Sequence, residues 1–347
     1  MANQGGTMRD PLIVLRALEE QPGNHDFYAA LRQLECAFPE RPRIGASLRP
    51  QDDALRFGQN MSMAFEPGML AALEDGKDGS AARLLVNFFG LCGANGPLPL
   101  HISEYVRDRM RNAADPTLAR FFDLFHHRMI SLMYRAWASA QPTVSMDRPQ
   151  SDRFATYVGS LIGIGGSALQ DRDAVTDLAK LHYAGRLAGQ RRNAEGLAAI
   201  LSDYFRLPIT LRQFVGHWMT LPTDSRCVVR SGPQAEVLGQ TTVLGKRVWN
   251  CQHKFRIVIG PLDLAQFRQL LPGGSAAGRL LAWVRNYAGL AFAWDVNLVL
   301  KRQQVPKLAL GRSSHLGWST WLISKTPEND DSQLRYTPTP ASVGLAR

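Results

Sequence analysis

Hydrophobic and polar residues follow regular spacings along most of the 347-residue chain. Apolar residues at helical spacing predict helices at 11–20, 26–34, 102–113, 117–139, 175–190, 193–205, 263–271 and 276–288. Alternating or short continuous apolar runs predict strands at 55–65, 84–89, 254–259 and 297–310. The order of these elements predicts an α+β fold: a helical N-terminal and middle part with short strands, then a strand-richer C-terminal part with extended loops.

Proline-containing breaks divide the chain into predicted segments. They lie at Gln21-Pro22-Gly23, Gln141-Pro142 and Leu207-Pro208, and the stretch after Thr326 is polar and contains further prolines. We expect a flexible leader at 1–24, an N-terminal α+β domain at 25–145, a helical middle segment at 146–208, a C-terminal α+β domain at 209–325 and a disordered tail at 326–347.

The segment Thr117–Ser139, here called the Phe-rich helix, has an unusually heavy apolar face. Its apolar arc consists of Leu118, Phe121, Phe122, Phe125, Met129, Leu132 and Met133. Its polar arc consists of Arg120, Asp123, His127, Arg128, Ser131 and Arg135. We therefore predict that the apolar arc, including Phe121, Phe125 and Met129, forms core or a partner interface.

Asp123 and His127 lie four residues apart on the polar arc, where a carboxylate can orient a histidine or raise its pKa. One interpretation is an acid–base pair or half of a metal site. The other, which we favour, is an ordinary pair on the helix surface near two arginines. His126 projects near the edge of the apolar arc, which predicts a hydrogen-bonded core histidine.

Catalytic motifs are absent from the sequence. There is no G-x-S-x-G elbow, P-loop or H-E-x-x-H motif. The run 163–168 matches the dinucleotide pattern G-x-G-x-x-G/A in form, but no βαβ pattern surrounds it and no acidic residue follows at the required distance. We predict that the protein is not an enzyme and holds no cofactor or metal.

Two glycine–proline–leucine loops resemble each other, Gly96–Leu100 and Gly260–Leu264. Each leads from a predicted strand toward a predicted helix. Either the resemblance is coincidence and common turn chemistry, or Leu98, Pro99, Leu100, Leu262 and Leu264 engage two copies of one partner. Leucine–glycine pairs with the same six-residue offset recur at 238–245 and 310–317, where glycine supplies positive-φ turns.

The formal net charge of +10 comes largely from scattered arginines. Nucleic acid is one partner that such a surface attracts, but no recognised binding motif accompanies the charge, which favours a solvated basic surface or acidic protein partners. The four widely spaced cysteines predict reduced thiols. The most apolar window, 280–300, is interrupted by Arg285 and Asp295, so we expect no transmembrane helix and a cytoplasmic protein.

Several stretches together resemble the TssG (ImpH, VasB) family of type VI secretion baseplate subunits. They are 27–35, 56–57, 89–93, 96–99, 121–137, 205–218, the leucine–glycine pairs, 254–262, 270–273, 316–318 and 321–322, in collinear order. Family members commonly read F-N-H-R where this chain has Phe125-His126-His127-Arg128. The resemblance implies no catalytic role at that position.

The resemblance implies a structural role in a contractile injection machine. One TssG subunit and two TssF copies form a wedge, which recruits TssK trimers and, with TssE, surrounds the VgrG hub. The wedge lies at the inner face of the bacterial inner membrane, linked indirectly to the membrane complex, and its function is mechanical. Nucleic acid and small-molecule substrates are not implied. The alternatives are a basic nucleic-acid-binding protein and an enzyme using Asp123 and His127.

Overall fold

The structure, a computed structural model, describes residues 11–76, 81–94, 96–227, 245–308, 315–323 and 327–339. They divide into two compact units, with the boundary between Thr156 and Tyr157. Each unit combines helices with a small sheet, so the predicted α+β fold is confirmed. The boundary between the units lies inside the predicted middle segment 146–208.

Unit 1 packs helices against a three-stranded sheet. Its helices are α1 Pro11–Glu20, α2 Phe27–Ala37, α3 Leu100–Asn112, α4 Thr117–Ser139 and α5 Pro142–Met146, and its strands are β1 Arg56–Gln59, β2 Leu70–Glu74 and β3 Arg83–Val86. The strand order is β1-β3-β2, with β1 parallel and β2 antiparallel to β3. Strand β1 therefore has one free edge, and α4, the Phe-rich helix, packs against β1.

The core of unit 1 joins α1 and α2 to α4. Helix α2 begins at the capping residue Asp26, whose carboxylate accepts a hydrogen bond from the N–H of Ala29. Its apolar face buries Phe27 and Leu31. Leu18 of α1 packs into the same core at 2% exposure. The expectation of a flexible leader is thus wrong for residues 11–24, because α1 has an apolar face that α2 covers.

Unit 2 contains a four-stranded mixed sheet and a separate two-stranded one. Its helices are α7 Asp177–His182, α8 Ala184–Leu187, α9 Ala194–Phe205, α10 Leu264–Leu270 and α11 Ala277–Ala288, while α6 Arg153–Leu161 crosses the boundary between the units. Its strands are β4 Ile209–Arg212, β5 His217–Thr220, β6 Arg247–Asn250, β7 Lys254–Leu262, β8 Ala293–Leu300 and β9 Arg335–Tyr336. The large sheet has the order β4-β7-β8-β9, and among the described residues β5 pairs with β6 and with no other strand.

Strands β7 and β8 run parallel at the centre of unit 2. Strand β8 is buried along nearly its whole length, as expected of a central parallel strand. The helix α11 buries Trp283 against this sheet core. The one carboxylate in β8, that of Asp295, pairs with Lys254 and Arg256 on β7, and these bonds hold the pKa of Asp295 below its ordinary value against the opposing effect of burial.

Three predicted elements of unit 2 differ from the structure. The last predicted strand lies earlier, at Ala293–Leu300, and the predicted helix at 175–190 is two short helices. The predicted disorder is wrong for residues 327–339, because β9 pairs with β8 and the Tyr336 hydroxyl donates a hydrogen bond to the carbonyl of Leu270. The buried Tyr336, the bridge between Leu300 and Asp331 and the hydrogen bonds from Asn297 to Ser332 and Leu334 together hold a segment whose composition is polar.

No helix in the described part of the chain is long and apolar enough to cross a membrane.

Candidate partner-binding surface on the Phe-rich helix

Helix α4 buries two residues of its polar arc, Asp123 and Ser131, together with His126. The residues that face the interior of unit 1 are Ala119, Asp123, His126, Ile130, Ser131 and Tyr134. Asp123 is 7% exposed and His126 is 1% exposed. A helix normally turns its charged side to solvent, so this arrangement requires that each buried polar group has a partner.

The partners of Asp123 and His127 are backbone N–H groups on the free edge of β1. Asp123 Oδ1 accepts a hydrogen bond from Gln59 N–H at 3.1 Å, and His127 Nδ1 accepts one from Phe57 N–H at 3.2 Å. Four residues of helix rise about 6 Å and two residues of strand about 6.6 Å, so the two spacings match. Without these acceptors the edge N–H groups would be buried and unpaired.

Further hydrogen bonds fix the orientation of both histidines. His127 Nε2 lies 2.9 Å from Asp53 Oδ2, and burial lowers the pKa of His127 while the Asp53 contact opposes this. The neutral Nε2–H tautomer fits these contacts, because Nδ1 must accept from Phe57. His126 Nε2 accepts from Leu91 N–H at 2.9 Å, while its Nδ1 lies 3.3 Å from Asp123 Oδ1. The prediction of a hydrogen-bonded core histidine at His126 is confirmed.

The interpretation of Asp123 and His127 as a surface pair is wrong. Besides Gln59 and His126, Asp123 binds Arg120, whose Nη1 lies 3.2 Å from Oδ2. Both carboxylate oxygens are therefore occupied, and a Cβ added at Gly58 would lie 2.8 Å from Oδ2. Such a packed carboxylate has no room for a substrate. Among the described residues no group of His, Cys, Asp and Glu has an arrangement that could hold a metal ion.

Most of the apolar arc of α4 faces solvent, as does the neighbouring Leu124, while Leu118, Phe122 and Met133 are half-buried. The exposed fractions are 51% for Phe121, 67% for Leu124, 51% for Phe125, 55% for Met129 and 37% for Leu132. The Phe121 and Phe125 rings meet edge to face, with centroids 5.5 Å apart. The prediction that this arc is core is wrong for Phe121, Phe125 and Met129, because the other side of the helix satisfies the sheet edge. A partner interface remains the prediction.

A cavity of about 500 Å³ lies beside Phe125 and Met129. Its apolar wall comes from Phe88, Phe89, Leu91 and Pro97, while Gln59 and His126 also line it. The stretch 89–93 forms part of this wall, and two hydrogen bonds fix its backbone. Cys92 N–H donates to Gln59 Oε1 at 3.0 Å, and Gly93 N–H donates to Ser103 Oγ at 3.0 Å. The exposed arc of α4 and this cavity together form what we call the α4 surface.

The two glycine–proline–leucine loops are not equivalent. Leu98 is half-buried against the cluster around Val106, and Leu100 is 55% exposed at the first turn of α3. Leu262 is fully buried, and Leu264 packs half-buried against the core of unit 2. The predicted docking role is thus wrong for Leu262, since it is fully buried and belongs to strand β7 rather than to a loop, whereas Leu264 stays a candidate.

Leu98, Pro99 and Leu100 remain candidates for partner contact, and Pro99 is exposed. The leucine–glycine pairs lie partly outside the described residues: Leu238, Gly239, Leu244, Leu310 and Gly311 are not described. The described glycines, Gly245 and Gly317, have the expected positive φ values, 95° and 80°. Leu316, beside Gly317, is 89% exposed.

Local patterns do not reveal every residue that shapes the α4 surface. Gln59 and Asp53 carry no signal in their own segments, because their partners lie 64 and 74 residues away on α4. A buried strand edge opposite a helix with regularly spaced polar groups is a tertiary feature. The only local sign was the four-residue spacing of Asp123 and His127, which suits a strand edge as well as a catalytic pair.

The comparison with known proteins agrees with this architecture. The model of the family described as type VI secretion, TssG, matches residues 21–323. A solved structure described as the baseplate complex from the type VI secretion system is similar in fold, with a TM-score of 0.66 at 21% identity, covering 97% of this chain and 95% of that chain. A TssK-TssF-TssG baseplate subcomplex gives a TM-score of 0.53 at 19% identity, covering 62% of this chain and 92% of that chain. No curated protein sequence matches.

Since the family model extends over most of this chain and the match includes the central elements of both units, the chain belongs to the TssG family of type VI secretion.

Proposed function

We propose that this chain is a structural subunit of a type VI secretion baseplate and that its α4 surface docks a TssF subunit. The observation that carries the proposal is the reversed orientation of α4, which buries Asp123 and His126 and exposes Phe121, Phe125 and Met129. Membership of the TssG family supports a role in type VI secretion, and the fold shared with a baseplate complex supports a place in the baseplate.

The dimensions of the α4 surface suit an α-helix or a similar extended element of the partner. Its exposed apolar residues run from Phe121 to Leu132, which corresponds to about 16 Å of helix. The adjoining cavity of about 500 Å³ offers room for an anchoring side chain. Exposed aromatic rings beside a preformed pocket are typical of a protein interface, where a few buried anchors carry most of the binding energy.

The finer assembly follows the family resemblance. Two TssF copies bind one copy of this chain, and the resulting wedge connects to TssK trimers, with TssE, around the VgrG hub. The wedge lies on the cytoplasmic face of the inner membrane and is linked indirectly to the membrane complex. Leu98, Pro99 and Leu100 are the candidates for the TssK contact, since Pro99 and Leu100 are exposed at the start of α3.

A mechanical rather than catalytic role is supported by the way unit 1 uses its polar residues. The carboxylate of Asp123 and the imidazoles of His126 and His127 each accept a hydrogen bond from a backbone N–H group. These contacts stabilise the sheet edge and fix the helix that presents the apolar residues. The same groups that suggested an enzyme therefore serve the docking surface.

The test is co-purification with TssF encoded in the same gene cluster. Phe125→Glu combined with Met129→Glu should reduce TssF binding at least about tenfold, because both residues would place charge in an apolar contact. Leu48→Glu is the matched control, since Leu48 is 98% exposed in unit 1 but lies outside the α4 surface. Equal TssF binding by the wild type and the folded double variant would refute the proposed surface.

A further inference from the structure

A second exposed aromatic surface lies in unit 2, on the two-stranded sheet of β5 and β6. Trp218 and Trp249 are directly opposite each other, with ring centroids 5.5 Å apart at an angle of 69°. Opposed residues of an antiparallel pair lie on one face, together with residues two positions away, so Thr220 and Arg247 share this face. We call these four residues the Trp face.

The Trp face is open to solvent. Trp218 is 62% exposed and Trp249 is 55% exposed, although indole rings in a stable protein are usually well covered. Strands β5 and β6 pair with each other and with no further strand among the described residues. The two rings therefore form a projecting aromatic pair rather than part of the core of unit 2.

The base of this two-stranded sheet holds the rings in place. Trp249 lies directly over the backbone of Gly216, where an added Cβ would lie 2.1 Å from Cζ2. Phe214, two residues before Gly216, is 70% exposed and has a φ of 55°, which is uncommon for an aromatic residue. The hydrogen bond from Val215 N–H to Lys254 O, at 2.9 Å, fixes this conformation. Because the rings are preorganised, little freedom is lost when a partner binds.

The surroundings of the Trp face are basic. Arg212, Lys246 and Arg247 are exposed and form no ion pair with any residue that the structure describes. Within the described parts of 212–254, Asp224 is the only acidic residue. Free cations beside exposed indoles favour a partner that presents carboxylates next to apolar side chains, because both contacts then form together.

We propose that the Trp face docks an acidic segment of a baseplate protein, with apolar side chains against Trp218 and Trp249 and carboxylates against Arg247, while Lys246 beside it adds positive charge. The proposal rests on the proposed function, which supplies TssF and TssK as the partners to be tried. The edge-to-face geometry favours a protein over nucleic acid, because the two indoles do not offer a parallel slot for a base.

The experiment measures binding of the full chain to purified TssF and to purified TssK from the same gene cluster, at about 0.1 M and about 0.5 M salt. One variant is Trp218→Ala with Trp249→Ala; the other is Lys246→Glu with Arg247→Glu, which keeps the rings. The controls are Tyr105→Ala and Arg111→Glu, an exposed aromatic and an exposed cation on α3 of unit 1. Thermal unfolding of each variant reports on folding.

We expect both double variants to weaken binding to the same partner about tenfold or more, with the controls within about twofold of wild type. We also expect wild-type binding to that partner to weaken at the higher salt concentration.

If the folded charge variant binds both partners like wild type, the inference is wrong, while the proposed role of the α4 surface is not affected. If wild type binds neither protein, the proposed function fails with it. Charge-dependent binding of a single-stranded oligonucleotide, with unchanged protein binding, would assign the surface to nucleic acid and overturn the inference.

Discussion

Asp123 Oδ1 accepts a hydrogen bond from the backbone N–H of Gln59 at 3.1 Å, across 64 residues of sequence. The bond satisfies an edge group of β1 that no neighbouring strand reaches, since β1 pairs with β3 on its other side. It also sets the rotation of α4 about its axis. With Asp123 directed inward, Phe121 and Phe125 must face outward. The docking surface is thus a consequence of how the sheet edge is closed.

The first prediction concerns this bond. Asp123→Ala should lower the unfolding free energy by about 1–3 kcal/mol, because it leaves a buried N–H of Gln59 without an acceptor. Asp123→Asn keeps an amide oxygen at the same place and should lose less. Urea denaturation of the two variants and wild type measures the difference. Equal stability of the alanine variant and wild type would show that the edge is satisfied in another way.

The second prediction concerns pH. The pKa of His127 is lowered in the folded chain, chiefly by burial, from the ordinary value of 6.5. The folded state therefore prefers the neutral imidazole, and this stabilisation is complete above pH 6.5 and is lost as pH falls toward the folded pKa. Thermal unfolding between about pH 8 and pH 5 should show falling stability. His127→Asn, which keeps an acceptor for Phe57 N–H, should remove part of that slope; an identical slope would contradict the assignment.

The third prediction separates the two glycine–proline–leucine segments. Leu262→Ala should destabilise unit 2 by about 2–5 kcal/mol, because the side chain is fully buried in the core. Leu100→Ala should change stability little, since Leu100 is 55% exposed. Denaturation curves of both variants provide the comparison. A Leu262→Ala protein as stable as wild type would mean that the segment is not part of the core.

The fourth prediction concerns the C-terminal part of the described chain. Tyr336→Phe removes the hydroxyl that donates to the carbonyl of Leu270 and leaves the buried ring in place. The expected loss is about 1 kcal/mol, the usual net contribution of one hydrogen bond. Tyr336→Ala should cost more, because the ring is buried at 7% exposure. Unchanged thermal unfolding of both variants would support the disorder expected from composition.

Much of the secondary structure was determined by local sequence. The Phe-rich helix spans Thr117–Ser139 both in the sequence prediction and in the structure. Two other helices begin where their capping residues predicted, with Asp26 and Asn193 each accepting an N–H of the first turn. Caps, prolines and apolar spacing act within a few residues, so they can be read without the fold. The resemblance to the TssG family rested on the same collinear segments.

The tertiary structure alone decided which side of α4 is buried and which of the two glycine–proline–leucine segments lies in the core. Apolar periodicity placed Phe121 and Phe125 inside, yet the free N–H groups of Phe57 and Gln59 require acceptors that only the polar arc of α4 supplies. Likewise Leu98 and Leu262 stand in similar local sequences, but strand pairing with β8 buries the second completely. Hydrogen bonding across the sheet depends on residues far apart in the chain. Local sequence therefore determined where most of the longer helices of this protein lie, and long-range backbone pairing determined the strands and which surface of α4 remains for a partner.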